Sequence, residues 1–390
     1  MSYICFLIKA MNLRALFERI IWQRHDRKYI EIVLFPLFLL SLLYRGIIQT
    51  RYWLYQRGIL RSKKLPCKII SVGNISLGGS GKTPTTHYIA KLLKENDFRV
   101  GIVSRGYRGK GTDEVNLVSE GDNVLLSPRE AGDEPYMLAK KLKGIPVLTS
   151  KDRYQGGKYV IERFNSNVLI LDDGFQHIRL KRDLDILLLD SRIVSGNNYL
   201  FPRGVLREPL MNLKRANVFL VTRAKSSDKQ RELTRTIRSI KKDAEIFYGY
   251  FQAKHLIDPF GERKGLDYLR DKRVLAFSGI ANPEHFTASL KELGAIVVEE
   301  LIFPDHHWYS SKDYKRIGEI SGEVNFAVTT EKDMVKIDSS FLSNVKTFAL
   351  SIELCLEREE EFKDFLLKRV SEASTNSRTG VSPVREVFSN

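Results

Sequence analysis

Residues 72–93 read VGNISLGGSGKTPTTHYIAKLL: a short apolar strand, a run of glycines, then a helical pattern. Gly78, Gly79 and Gly81 let the backbone approach an anion without Cβ interference, and Ser80 belongs to the same binding loop. The helix that follows aims its positive dipole end at the same point. Lys82 would carry charge to the β- and γ-phosphates of a nucleotide, and the Thr83 hydroxyl would ligate Mg2+. Pro84 is tolerated because the first helical turn has no intrahelical use for its N–H. The match to the Gly-x4-Gly-Lys-Ser/Thr loop is incomplete, since Ser76 stands where the first Gly belongs. A glycine-rich structural turn competes with the nucleotide reading, but strand, loop and helix follow one another in the required order.

Such a loop needs a carboxylate to help hold the metal. VLILDDGFQH (168–177) supplies one, as an apolar strand that ends in Asp172 and Asp173. Two adjacent acids could instead cap a turn. With a phosphate loop upstream, a Mg2+-bound nucleotide is the better account.

These residues must be positioned by a sheet. The runs 67–72, 98–107, 145–150, 167–173, 184–190 and 217–222 are short, apolar and rich in β-branched residues and Leu, and helical patterns separate several of them. Strands apolar throughout indicate a parallel sheet covered on both faces, hence a P-loop NTPase-like three-layer α/β domain. Near Arg273 a smaller α/β unit begins, with strands expected at 273–280, 295–303 and 325–337 and a helix at 283–294. The chain divides on this reading into an N-terminal membrane-associated helical segment and basic linker (1–65), a P-loop domain (66–265), the smaller domain (266–371) and a disordered tail (372–390).

The formal charge of +16 points towards polyanions: nucleic acid, an anionic lipid surface or a phosphorylated substrate. The cysteines, Cys5, Cys67 and Cys355, are too far apart for a disulfide framework or a metal spacing, which suits a reducing compartment. Residues 31–46, EIVLFPLFLLSLLYRG, hold an apolar core of about a dozen residues, short for a membrane span. Arg24, Arg27 and Lys28 precede it. Arg45, Arg51, Arg57, Arg61, Lys63 and Lys64 follow, interleaved with Tyr44, Tyr52, Trp53 and Tyr55. An apolar body with aromatic and cationic borders suits a helix lying in an anionic membrane face. A buried core helix and a signal peptide are the competing readings, and no small-residue cleavage site follows the run.

GNISLGGSGKTP (73–84), SRGY (104–107), GDEP (132–135), DDGFQH (172–177), PRGVLREP (202–209), FPDHHWY (303–309) and TTEKD (329–333) occur in this order. Together they closely resemble the tetraacyldisaccharide 4'-kinase family of the lipid A pathway, over roughly residues 30 to 350. That family's loop also lacks the first Gly. The resemblance implies ATP-dependent phosphorylation of the 4'-hydroxyl of a tetraacylated glucosamine disaccharide 1-phosphate at the cytoplasmic face of the inner membrane. No nucleic acid partner is expected, and the sequence does not reveal the oligomeric state, for which a monomer is the expectation. It also implies a catalytic pair, Asp133 of GDEP and His306 of FPDHHWY, with Asp133 taking the sugar hydroxyl proton. Arg207 and Glu208 of LREP match positions near nucleotide and metal, while Gln176 and His177 have no separate role.

The chemistry agrees with the resemblance. A sugar hydroxyl is a poor nucleophile, so an acceptor kinase needs a base beside it. His306 lies in the smaller domain, so the pair is expected to form by closure over substrate. Taken from residue types alone, DHHWY reads equally well as a surface turn. Arg105, Arg207 and Lys332 are candidate anion binders. A partner-switching P-loop NTPase anchored by the N-terminal helix is the rival function. The chain has no Asn-Lys-x-Asp guanine-reading motif, which favours ATP. A non-catalytic lipid-binding module is a second rival, and the phosphate-and-metal constellation argues against it.

Overall fold

The computed structural model describes residues 28–191, 197–222 and 227–372. Arg24, Arg27, Cys5 and the tail expected beyond residue 372 lie outside them. The chain opens with helix α1 (Lys28–Gln56), then β1 (Lys68–Asn74), α2 (Lys82–Glu95), β2 (Val100–Ser104) and β3 (Val115–Ser119). Next come α3 (Pro128–Ala131), α4 (Asp133–Lys141), β4 (Val147–Ser150), α5 (Arg153–Phe164), β5 (Val168–Asp172) and β6 (Leu184–Asp190). β7 (Val218–Thr222), α6 (Ser227–Ile240), β8 (Glu245–Ile257) and β9 (Arg263–Lys264) lead into β10 (Arg273–Ser278), α7 (Pro283–Glu292) and β11 (Ile296–Ile302). α8 (Ser311–Ser321), β12 (Phe326–Thr330), α9 (Glu331–Met334), α10 (Ser339–Asn344), β13 (Thr347–Leu356) and α11 (Glu359–Ser371) complete the described chain.

One sheet runs through the molecule in the order β11-β10-β12-β13-β8-β7-β6-β1-β5-β2-β4-β3, with β9 paired to β8. Its strands are parallel except β3 on β4, β9 on β8 and, at the centre, β13 on β8. Strands β1, β5, β6 and β7 are buried almost throughout, which is why they read as continuous apolar runs. Helices cover both faces. On one face Ile89 and Leu93 of α2 and Leu138 of α4 pack on Val72, Ile170 and Ile186; on the other, Leu233 and Ile237 of α6 pack on Leu187, Phe219 and Val221.

The register at the centre decides the shape of the cleft. The first residues of β8, Glu245–Gly249, pair with β7. From Gly249 to Ile257 it pairs antiparallel with β13, and β12 joins β13 only at Ala327–Thr330, beside the far end of β8. The second half-sheet is therefore displaced beyond the C-terminal edge of the first, and its strands run the opposite way. The C-terminal strand ends of the two halves face one another, and ligands of open α/β sheets bind at such ends. Helix α11 then returns to the first half, where Phe362, Leu366 and Val370 enter its core.

Helix α1 is longer than the apolar run suggested. Pro36 does not end it, and it continues through the aromatic and basic residues for 29 residues. The stretch Val33–Gln56, with Arg45 and Arg51 its charges, is long and apolar enough to cross a membrane by length and composition. It is not a core helix: Phe35, Leu39, Leu40, Leu43 and Ile47 are exposed. One side leans on the body of the protein, with Phe38 against Tyr199 and Tyr44 against Phe201 at ring-centroid distances of 5.7 and 6.4 Å.

Candidate active site

The glycine loop leaves the C-terminal end of β1 and is pinned from both sides. Leu77 donates its backbone N–H to the Val205 carbonyl, and Arg207 donates to that of Ile75, each at 2.7 Å. Ser76, at the position of the missing Gly, is buried and pairs with Leu206 in an isolated bridge. The PRGVLREP segment thus flanks the loop, tied to it by that single bridge and the two backbone hydrogen bonds. Asn74 donates Nδ2 to Ser80 Oγ at 2.9 Å, and Gln176 donates Nε2 to the Asn74 carbonyl at 2.8 Å. Gly81 caps α2 with φ +86°; a Cβ there would sit 2.0 Å from the Phe251 ring, so only Gly fits.

Asp172 closes β5 beside Val72 of β1 and is buried, accepting from Thr86 Oγ1 at 3.0 Å and Ser104 Oγ at 3.3 Å. Burial raises its pKa, as do the charges of Glu134 and Asp173, against the lowering pull of Lys82. Asp173 is half-exposed, with φ +52°, and points a different way. Arg207 Nη1 donates to both its oxygens at 3.0 Å, and Lys82 Nζ lies 3.6 Å away. Burial opposes its ionisation, but Lys82 and then Arg207 outweigh that and hold its pKa low.

Glu208 sits one step further back, buried and held by Arg215 at 2.8 Å and Asn212 at 2.7 Å. Among the described residues no cluster of three His, Cys, Asp or Glu side chains makes a metal site alone. A buried carboxylate short of positive charge, with the Thr83 hydroxyl at the start of α2, is the hard-oxygen donor set that Mg2+ uses when substrate phosphates and water complete its shell. The residues fit the ion.

Across the cleft, Gly132 turns the chain with φ +88° so that Asp133 opens α4. Its carboxylate, 4% exposed, receives His306 Nδ1 at 2.8 and 3.0 Å. The fold itself brings these residues together, so the pair needs no closure over substrate. The reason is the reversed second half-sheet, whose β11–α8 loop carries His306 (φ +59°) back to α4. Arg108 Nη1 fixes that loop by donating to the carbonyls of Asp305 and His306 at 3.2 Å, and the Tyr107 ring packs edge-on to the imidazole.

Lys332 Nζ lies 3.2 Å from His306 Nε2. An ammonium can only donate, so Nε2 accepts and Nδ1 carries the hydrogen given to Asp133. Burial would raise the Asp133 pKa, but the His306 hydrogen bond and the charge of Lys332, then that of Lys336, outweigh it and the carboxyl is held low. Lys332 also meets Glu134 at 3.1 Å and Asp305 at 3.2 Å. Burial lowers its pKa, but Glu134, Asp305 and Asp133 together raise it above the ordinary lysine value.

A single cavity of 1790 Å³ reaches all of these groups: Gly78–Thr83, Asp172, Asp173, Arg207, Glu208, Asp133, His306 and Lys332. Arg105 also lines it, as do Tyr44, Ile48, Arg51 and Tyr52 of α1. Sequence reasoning missed Arg108, Lys336 and Arg153. Arg153 is buried beside the paired acids, and desolvation lowers its pKa to about 10 against the pull of Asp173. Its only sequence signal was position just after β4, which no spacing rule singles out.

The sequence model of the family described as tetraacyldisaccharide-1-P 4'-kinase matches residues 33–371. A tetraacyldisaccharide 4'-kinase of Syntrophus aciditrophicus is 41% identical over 377 residues, 93% of this chain and all of the relative. One of Aquifex aeolicus is 40% identical, across 84% of this chain and 96% of its own. The crystal structure of LpxK from Aquifex aeolicus in complex with ATP superposes with a TM-score of 0.71 at 38% identity, covering 87% of this chain and 99% of that one.

Proposed function

The chain belongs to the tetraacyldisaccharide 4'-kinase family, and on that premise we propose how this cleft performs the family's reaction. The reaction moves the γ-phosphoryl group of ATP to the 4'-hydroxyl of a tetraacylated disaccharide 1-phosphate, giving a lipid A precursor. The acceptor oxygen bonds to the γ-phosphorus, the bond to the β-bridging oxygen breaks, ADP leaves and the hydroxyl proton passes to the enzyme. The loop Gly78–Thr83 would cradle the phosphates, and Lys82, now resting on Asp173, would transfer its charge to them. Arg207 holds Asp173 in place and presents a second cation at the same edge. Thr83 and Asp172 would hold Mg2+, with Asp173 beside them, and the ion would neutralise charge on the β- and γ-oxygens.

Asp133 would accept the proton. A carboxylate held low is a weak base. It suffices here because a loose phosphoryl-transfer transition state leaves the attacking hydroxyl protonated until late, so position matters more than basicity. His306 donates Nδ1–H to that carboxylate and steadies it. The observation that carries this reading is the Asp133–His306 contact, 2.8 Å, on the wall of the cavity that also holds Lys82. Residues 66–265 would carry the donor side and 266–371 would bring His306, Lys332 and Asp305 to the acceptor.

The exposed apolar side of α1 and its bases suit the cytoplasmic face of an anionic inner membrane. Tyr44 and Tyr52 instead line the cavity, so the helix would deliver an acyl-chained substrate directly to the site, and one copy of the chain would suffice. Incubation with γ-labelled ATP and a lipid disaccharide 1-phosphate tests the function. The label should appear on the 4'-oxygen, and ADP release should depend on the acceptor. Equal ADP release without acceptor would favour a switch NTPase.

A further inference from the structure

We propose that Lys336 is a positioning residue for the catalytic pair: its buried ammonium, anchored by Asp333, holds the Asp133 carboxylate against His306. This rests on the reading of Asp133 as the base. The Lys336 side chain is 0% exposed. Its Nζ lies 2.8 Å from Asp333 Oδ1 and 3.7 Å from Asp133 Oδ2, with the Tyr309 ring centroid 6.0 Å away. Burial, then the Asp333 charge, raises the pKa of that phenol, which stays protonated.

Asp333 is itself fixed. Its Oδ2 accepts the Gly279 N–H at 3.0 Å and the Thr330 hydroxyl at 2.7 Å. The Gly279 carbonyl in turn accepts the His306 N–H at 3.1 Å. These contacts close a ring: Lys336 to Asp333, to Gly279, to His306, to Asp133 and back to Lys336. A Cβ on Gly279 would meet Asp333 Oδ1 and the Pro304 carbonyl at 3.1 Å, so a side chain there would fit only if the ring gave by a few tenths of an ångström.

The stretch Thr329–Lys336 therefore grips the pair from two sides. Lys332 reaches the imidazole Nε2, while Lys336, one helical turn on, reaches the carboxylate behind it. Lysines are almost never fully buried unless paired, and an apolar side chain of the same volume commonly serves folding as well or better. A buried cation that touches the base is then explained by what it does to that base. The groups facing Asp133 are the His306 imidazole and the ammoniums of Lys332 and Lys336; Glu134 and Asp305 balance Lys332, and Asp333 balances Lys336.

The test is the pH dependence of kcat for Lys336→Met and for the double variant Asp333→Asn with Lys336→Met, beside Asp133→Asn. The double variant removes both buried charges and keeps an acceptor for Gly279 and Thr330. Loss of a cation this close should raise the acid limb of kcat by about one pH unit or more. The KM for ATP should stay within about twofold, because the phosphates are bound elsewhere. A kcat profile superimposable on wild type in a folded variant overturns the proposal, as does failure of both variants to fold, which would make Lys336 a folding residue. If Asp133→Asn keeps the wild-type rate, the base assignment fails instead. An inactive Asp133→Asn with an unmoved Lys336→Met profile removes only the role of Lys336.

Discussion

The two walls of the cleft, donor and acceptor on the proposed mechanism, are built in opposite ways. The donor wall, Gly78–Thr83, is local: the loop, its lysine and its hydroxyl come from consecutive residues between β1 and α2, and neighbouring strands merely pin it. The acceptor wall pairs residues 173 positions apart and depends on the β8–β13 register to bring them together. The donor wall needs general anion chemistry, which backbone N–H groups and a helix end supply wherever the chain makes that turn. On the proposed mechanism the acceptor wall needs one carboxylate aimed at one hydroxyl. That aim comes from tertiary contacts: Arg108 on the His306 loop, Lys332 on the imidazole and the ring through Gly279 and Lys336.

The largest effect should come from the donor wall. Lys82→Ala removes a charge at the transferring phosphoryl group and should lower kcat by about 10³- to 10⁵-fold, the range of comparable cationic contacts in phosphoryl transfer. Circular dichroism should show the fold retained, since Lys82 makes one loose ion pair, 3.6 Å, to Asp173. Near-normal turnover in the folded variant would remove the loop from the chemistry.

Next come the two acceptor residues, tested together. Asp133→Asn should cost about 10²- to 10⁴-fold in single-turnover rate with ATP affinity nearly unchanged. His306→Ala should cost less, and the double variant should lose far less than the product of the two. Multiplicative losses would show that the contact seen at 2.8 Å carries no catalytic coupling.

The smallest effect should separate delivery from chemistry. Leu43 is 66% exposed on the outer side of α1. Leu43→Glu should weaken sedimentation with anionic vesicles roughly tenfold, the loss expected on removing one buried Leu side chain. The KM for ATP should not move, whereas the requirement for lipid acceptor should rise. Unchanged vesicle binding would mean that this face of α1 does not enter the membrane.

The sequence by itself determined the donor wall and the layered sheet around it. Phosphate binding needs a contiguous turn, and strands buried on both faces must be apolar at every position, so both leave local signatures. The resemblance carried by the motifs implied Asp133 and His306 as partners but expected them to meet by closure over substrate, which the fold makes unnecessary. The sequence misled on α1, because a count of apolar residues stops at Arg45, whereas a helix continues as long as its backbone hydrogen bonds do. Long β8 escaped notice because its burial alternates where one face is open. Only the tertiary structure decided the rest. The register of β8 against β13 depends on pairings between distant segments, and it alone turns two C-terminal sheet edges towards each other. Lys336 illustrates the same limit: a lysine at the end of TTEKDMVK reads as a solvated charge until the fold buries it between two aspartates.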